Sequence, residues 1–199
     1  MSSVPRRIVT GHDADGRSVV LSDAPTPKTL DIGTAAFHEL WITDATPAPI
    51  GDRSIATAIE YFLDGPFGSV GTETASGIIT RAVQSTTVKR TGYSGLMIPI
   101  MEDNVLAKRW SEGTFNLDSI LAYSAVCAGG VDTLPLAGDV SEAQIARILG
   151  DVAWLAFRWN KPLAARLLPA PGKRVGDETE FSGGVLVKTR IQPLPGAKR

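Results

Sequence analysis

The chain has 199 residues, 43% of them hydrophobic, which is enough to bury a sizeable core in one large domain or in a domain with an appendage. Twenty basic against twenty-one acidic side chains leave a formal charge of −1, so nothing in the bulk electrostatics draws it to nucleic acid or an anionic membrane. The single cysteine cannot close an internal disulfide, and no run approaches the roughly 20 apolar residues of a membrane span, so a cytoplasmic globular protein is expected.

The opening stretch "MSSVPRRIVTGHDADG" has arginines but no apolar run after them and does not read as a signal peptide. Two β-branched runs, Ile8 to Thr10 and Ser18 to Leu21, flank "GHDADG", a turn-rich segment that predicts a hairpin. "DAPTPKTLDIG" reads as a Pro-interrupted loop, and "FHELWITD" (Phe37 to Asp44) alternates like a half-buried strand. "DATPAPIGD" is a second loop, and it marks a boundary between a β-rich segment over 1–51 and a different pattern over 52–199.

Beyond it, helices alternate with short apolar strands. Ile55, Ile59 and Phe62 fall at helical spacing, and a second helix is expected from Thr72, an N-cap residue type, with Gly77 weakening its middle. "GLMIPI" is a short buried strand, and "NVLAKRW" and "NLDSILAYSAVC" are helices on either side of a turn at Gly113. In "SEAQIARILGDVAWLAFRW", Ser141 and Gln144 form a capping box, and Ile145, Ile148, Leu149, Val152, Leu155 and Ala156 make one apolar stripe. "PLAARLLP" and "GVLVKTRI" complete the set as strands. This alternation predicts an α/β fold with largely parallel pairing.

Several loops have the composition of a site. "GPFGSVGTETASG" leads into a helix, so Gly68, Gly71 and Thr72 could present backbone donors to a small anion; the alternative is a tight turn with close helix packing. "PAPGKRVGDETEF" places Lys173 and Arg174 among backbone donors with Asp177 nearby, as an anion site or a solvated surface loop. Glu102 and Asp103 follow "GLMIPI", where paired carboxylates could hold a divalent ion. His12 and His38 do not form a metal-binding pattern. In "AVCAGGVDTLPLAGD", Cys127 ends an apolar helix, the unfavourable end of the dipole for a thiolate, and a buried structural role is expected over a nucleophilic one. Asp132 and Asp139 lie where α/β proteins line a ligand crevice, with turn and capping duty as the alternative.

From "GYSGLMIPIMEDNVLAKRW" through "AVCAGGVDTLPLAGDVSEAQIARILGDVAWLAF" to "KPLAARLLPAPGKRVGDETEF", with "GPFGSVGTETASGIITRAVQS" upstream, the chain resembles the C-terminal part of the domain of unknown function 711 family, also called uncharacterised protein family 0210. The resemblance covers about residues 54–191. It implies a partial βα-barrel-like layer, similar to part of the barrels of glycyl radical enzymes, and no established activity. "KRTGYSG" around Gly92 is similar to the radical-bearing loop of those enzymes, but Arg90 stands two residues before the glycine rather than three, and Cys127 follows it rather than preceding it. Radical chemistry is therefore not expected. Residues 1–50 resemble the opening of small cupin-domain proteins, without the histidine cluster that carries a cupin metal.

Three functions follow as expectations. The first is a domain binding a small anionic ligand through the glycine-rich and Lys173 loops, without clear catalysis and with no cofactor identified. The second is a hydrolase- or lyase-like enzyme completed by oligomerisation or a divalent metal, using Asp132, Asp177 or Glu102. The third is an interaction protein or rearranged gene product with no preserved site. Unpaired strand edges in a partial barrel favour a homo-oligomer.

Overall fold

The computed structural model describes residues 6–15, 17–25, 28–31, 36–39, 54–90, 92–181 and 186–196. The chain divides into two units, Met1–Pro49 and Ile50–Arg199.

In the first unit, β1 (Arg6–His12) and β2 (Ser18–Pro25) form the expected antiparallel hairpin, with a register shift between Val9 and Thr10. Asp13 organises its turn by accepting from the backbone N–H groups of Asp15 and Arg17. The segment read as a Pro-interrupted loop is more ordered than expected. Strand β2 runs on to Pro25, and β3 (Lys28–Asp31) pairs antiparallel with β4 (Ala36–Glu39). Pro25 is the last residue of β2, paired with Arg6, so this proline ends a strand without preventing the next. Residues 40–44 of the "FHELWITD" strand lie outside the described residues.

The second unit is α/β. Helices α1 (Ile55–Leu63), α2 (Thr72–Gln84), α3 (Asn104–Glu112) and α4 (Leu117–Ser124) precede β5 (Gly130–Ala137), α5 (Glu142–Trp159) and β6 (Ala164–Ala170). Strands β5 and β6 pair in parallel, as the alternating pattern requires. "GLMIPI" runs alongside β5 but makes only an isolated parallel bridge, Pro99 to Asp132. A proline has no N–H to continue a ladder, and this limits the strand. The described strands do not close a barrel.

The caps follow the local chemistry. Ser54, Asp103, Asn116 and Ser141 each accept backbone N–H bonds at a helix start, and the last two form reciprocal capping boxes. Gly113 ends α3 at φ 77°. Thr72 is not the N-cap of α2 but its first residue, with Gly71 in the cap position at φ 101°. The core joins Ile59, Phe67, Ile98, Ile100, Leu106, Trp110, Phe115, Ile120, Val131 and Leu134. At its centre the rings of Phe67 and Phe115 meet edge to face at 5.0 Å, as do Trp110 and Phe115 at 5.3 Å.

"GVLVKTRI" was expected to be a strand. Among its described residues only Arg190 pairs, in one antiparallel bridge to Glu178. The segment instead straps α3. Thr189 Oγ1 donates to Ala107 O (2.7 Å), Trp110 Nε1 donates to Arg190 O (3.0 Å), and Gln192 Nε2 donates to Trp110 O and Phe115 O (2.5 and 3.0 Å). Thr189 buries against α3 and Ile191 packs with Ala137 and Ala170 at the ends of β5 and β6, so the apolar pattern is satisfied without a full strand pairing.

Candidate functional site

The glycine-rich loop binds an anion, and the anion is the chain's own Glu60. Phe67 N–H donates to Glu60 Oε1 at 2.8 Å, and Arg109 holds the same carboxylate through Nε and Nη2 (2.6 and 3.2 Å). Gly68 N–H donates to Thr72 Oγ1 (3.1 Å), which in turn donates to Ser69 O (2.8 Å). The glycines serve close approach. A Cβ on Gly68, at φ 101°, would run into the carbonyl of Thr114, and one on Gly71 would lie 2.8 Å from Leu63 Cδ2.

The hydrogen bonds from Arg109 hold the Glu60 carboxyl below its ordinary value of 4.5, against the opposing effect of burial. Because the folded-state value lies below the unfolded one, the stabilisation is complete above the unfolded value and is lost as pH falls through the folded one. Denaturant titrations from about pH 6 to about pH 3 should therefore show a shallower loss of stability for Glu60→Gln than for the parent chain. Equal slopes would remove Glu60 from the acid response.

Cys127 is buried and accepts from Gly130 N–H at 3.5 Å. Beside it, Lys161 Nζ donates to Ala125 O and Cys127 O (3.0 and 2.6 Å), so the lysine caps the carbonyls at the end of α4. Burial lowers the Lys161 pKa. The thiol has the surroundings of a structural residue.

The other sequence candidates are dispersed in role. Asp103 has both oxygens engaged by backbone: Oδ1 by Val105 and Leu106 N–H, Oδ2 by Ile55 N–H, all at 2.9 Å. Among the described residues no group of three or more potential metal-ligating side chains gathers. Lys173 pairs with Glu180 at 3.1 Å, and Asp177 folds its own loop by accepting from Arg174 N–H at 2.7 Å. Asp139 lies just beyond β5 and borders a cavity of about 210 Å³ with Leu136, Val140, Gln192 and Leu194.

Asp132 stands apart. It sits at an irregularity where the β5–β6 register shifts between Val131 and Leu134, and the next residue, Thr133, takes φ 48°. A β-branched residue at positive φ is strained and persists only where the surroundings impose it. Here Thr133 Oγ1 accepts from Met101 N–H at 2.9 Å, and Ile100 N–H donates to Asp132 O at 3.2 Å. The irregularity thus ties the end of "GLMIPI" to β5. It also sets Asp132 against Arg166 of β6, whose Nε donates to Asp132 Oδ1 at 2.5 Å while Nη1 meets Glu102 Oε1 at 2.8 Å.

The Asp132 side chain is only 7% exposed, whereas that of Arg166 is 49% exposed and carries the cluster to solvent. The hydrogen bond and charge of Asp132, with Glu102, raise the guanidinium's pKa further. Asp132 Oδ2 is buried with no hydrogen-bond partner among the described residues. One cation between two carboxylates leaves the cluster with a net negative charge and one unused acceptor. Sequence reading singled out Asp132 and Glu102 but not Arg166 or Thr133. The available signal was a lone arginine inside the apolar strand "PLAARLLP".

These features define an α/β unit built on a parallel strand pair, with a half-buried polar cluster where Asp132 of β5 meets Arg166 of β6 and Glu102. The chain belongs to the family described as Uncharacterised ACR (DUF711), whose model matches residues 34–182. It is 35% identical over 163 residues to a UPF0210 protein of Limosilactobacillus reuteri (strain DSM 20016), covering 76% of this chain and 36% of that protein. It is also 35% identical over 154 residues to one of Pyrobaculum arsenaticum (74% and 34% covered), and 37% identical over 152 residues to one of Desulforudis audaxviator (74% and 33%). The chain thus spans about a third of the length of these relatives. The match begins at residue 34, upstream of residue 54, where the resemblance in the sequence begins. No solved structure matches the chain. The family is one of uncharacterised function.

Proposed function

We propose that the second unit binds a small molecule through Asp132, and that the ligand presents a hydrogen-bond donor, an amine or a hydroxyl, to Oδ2. The observation that carries this reading is the buried carboxylate oxygen without a partner, because native proteins pair nearly all such groups. The net negative charge of Asp132, Glu102 and Arg166 favours a donor or a cation over an anion. For the anionic ligand expected from the loops, Phe67 N–H already serves Glu60 and Lys173 already pairs with Glu180, which favours the Asp132 cluster in this reading. Arg166 and Glu102 orient the acceptor in this reading, and no catalytic step is assigned. The single cysteine, buried and free, fits a cytoplasmic setting, and the β1–β2 hairpin fits the cupin-like N-terminus. Among the described residues no helix is long and apolar enough to cross a membrane.

The test is calorimetric titration of the full chain with primary amines, polyols, carboxylates and inorganic phosphate, repeated on Asp132→Asn. Amine or polyol binding that weakens by about tenfold or more in Asp132→Asn is the expected result, the size of one hydrogen bond to a charged group. Binding of carboxylate or phosphate that is indifferent to Asp132→Asn would overturn the reading and restore the anionic one.

A further inference from the structure

A cavity of about 220 Å³ lies between α4 and α5 and shares no residue with the Asp132 cluster. The helical period assembles its lining. Gln144, Arg147, Ile148 and Asp151 stand at i, i+3, i+4 and i+7 of α5, one continuous stripe. Leu117 and Leu121 face them from α4, with Asp118 in its first turn. Ile148 belongs to the core, and Leu121 and Leu194 pack against that core, so the floor is apolar.

The charges around this floor are left open. Asp118, Arg147 and Asp151 are exposed, and among the described residues none of their side chains makes an ion pair or hydrogen bond. Arg147 precedes Asp151 by one turn, the order in which an i, i+4 pair gains less. Elsewhere in this unit such groups close on one another, as Arg109 does on Glu60 and Arg166 on Asp132. An anion drawn to Arg147 would meet two carboxylates, and a cation drawn to those would meet a guanidinium. A zwitterion satisfies both signs. The fork of Arg147 matches a carboxylate, the aspartates accept from an ammonium, and the floor receives an aliphatic side chain. The volume falls below the roughly 300 Å³ at which pockets for drug-sized molecules begin, so the ligand is small. Gln144 and Leu194 also line the cavity that Asp139 borders just beyond β5, and that end of a parallel strand is where α/β units bind ligands. We infer that this cavity binds a free α-amino acid with an aliphatic side chain, its carboxylate on Arg147 and its ammonium on Asp118 and Asp151.

The test is calorimetric titration of the full chain with leucine, leucine amide and isocaproate. The amide lacks the carboxylate, and isocaproate lacks the ammonium. Leucine is expected to bind, and each of the other two to bind about tenfold or more weakly, the size of one lost charge-assisted hydrogen bond. Arg147→Gln should weaken leucine by a similar factor and make leucine and its amide bind alike. Asp132→Asn should leave leucine binding unchanged, which separates this cavity from the site proposed above. Absence of leucine binding, or equal binding of all three compounds, would overturn the inference without any variant. Leucine binding that survives Arg147→Gln but is lost in Asp132→Asn would also overturn it and assign the amine to the Asp132 cluster. Far-ultraviolet circular dichroism confirms that each variant keeps its helices.

Discussion

Replacing Gly68 by alanine is expected to destabilise the second unit by roughly 3 kcal/mol or more, combining backbone strain with overpacking. The position takes φ 101°, which side-chain-bearing residues rarely adopt. The added Cβ would also lie 2.7 Å from the carbonyl carbon of Thr114 and 3.1 Å from Phe115 Cβ. Neither neighbour can yield cheaply. Thr114 Oγ1 donates to Phe67 O at 2.8 Å, and Phe115 is buried between Phe67 and Trp110. Amide hydrogen exchange over α1 to α4 would show the loss as faster exchange. Protection equal to the parent's would mean that the loop relaxes and that close approach is not why a glycine stands there.

Trp110→Ala is expected to cost about 3–5 kcal/mol, the range for removing a large buried aromatic side chain. Trp110 is 2% exposed, packs edge to face with Phe115, and donates from Nε1 to Arg190 O. Its loss opens a cavity and frees one anchor of the 186–192 strap. Urea denaturation followed by circular dichroism measures the cost, and Trp110→Phe separates its parts. If the ring packing dominates, phenylalanine recovers much of the stability; if the strap dominates, it recovers little.

The helices of the second unit were legible in the sequence because their signals are local. The Ser141–Gln144 capping box and the Gly113 stop act within one turn and appear where expected. The strand pattern was less secure. "GVLVKTRI" and "PLAARLLP" have similar composition, yet one pairs with β5 and the other straps α3. Periodicity reports that a segment is half-buried but not against what. The polar cluster was legible in part for a related reason. Asp132 is conspicuous after an apolar helix, but its partner lies 34 residues further along, and only parallel pairing brings the two together. The anion expected at the glycine-rich loop illustrates the reverse case. Gly68 N–H donates within the loop to Thr72 Oγ1, and the one loop N–H that meets a carboxylate is that of Phe67, whose acceptor, Glu60, comes from α1, which no local motif announced.

The strap has a consequence for synthesis. It lies C-terminal to every helix it fastens, and it adds side-chain hydrogen bonds to the carbonyls of Ala107, Trp110 and Phe115. A chain emerging from the ribosome in order would have α1 to α5 exposed before residues 186–192 arrive. The nascent unit therefore waits, unlatched, until residues 186–192 emerge, and a premature stop before Leu186 would release a product with Trp110 uncovered on the strap side.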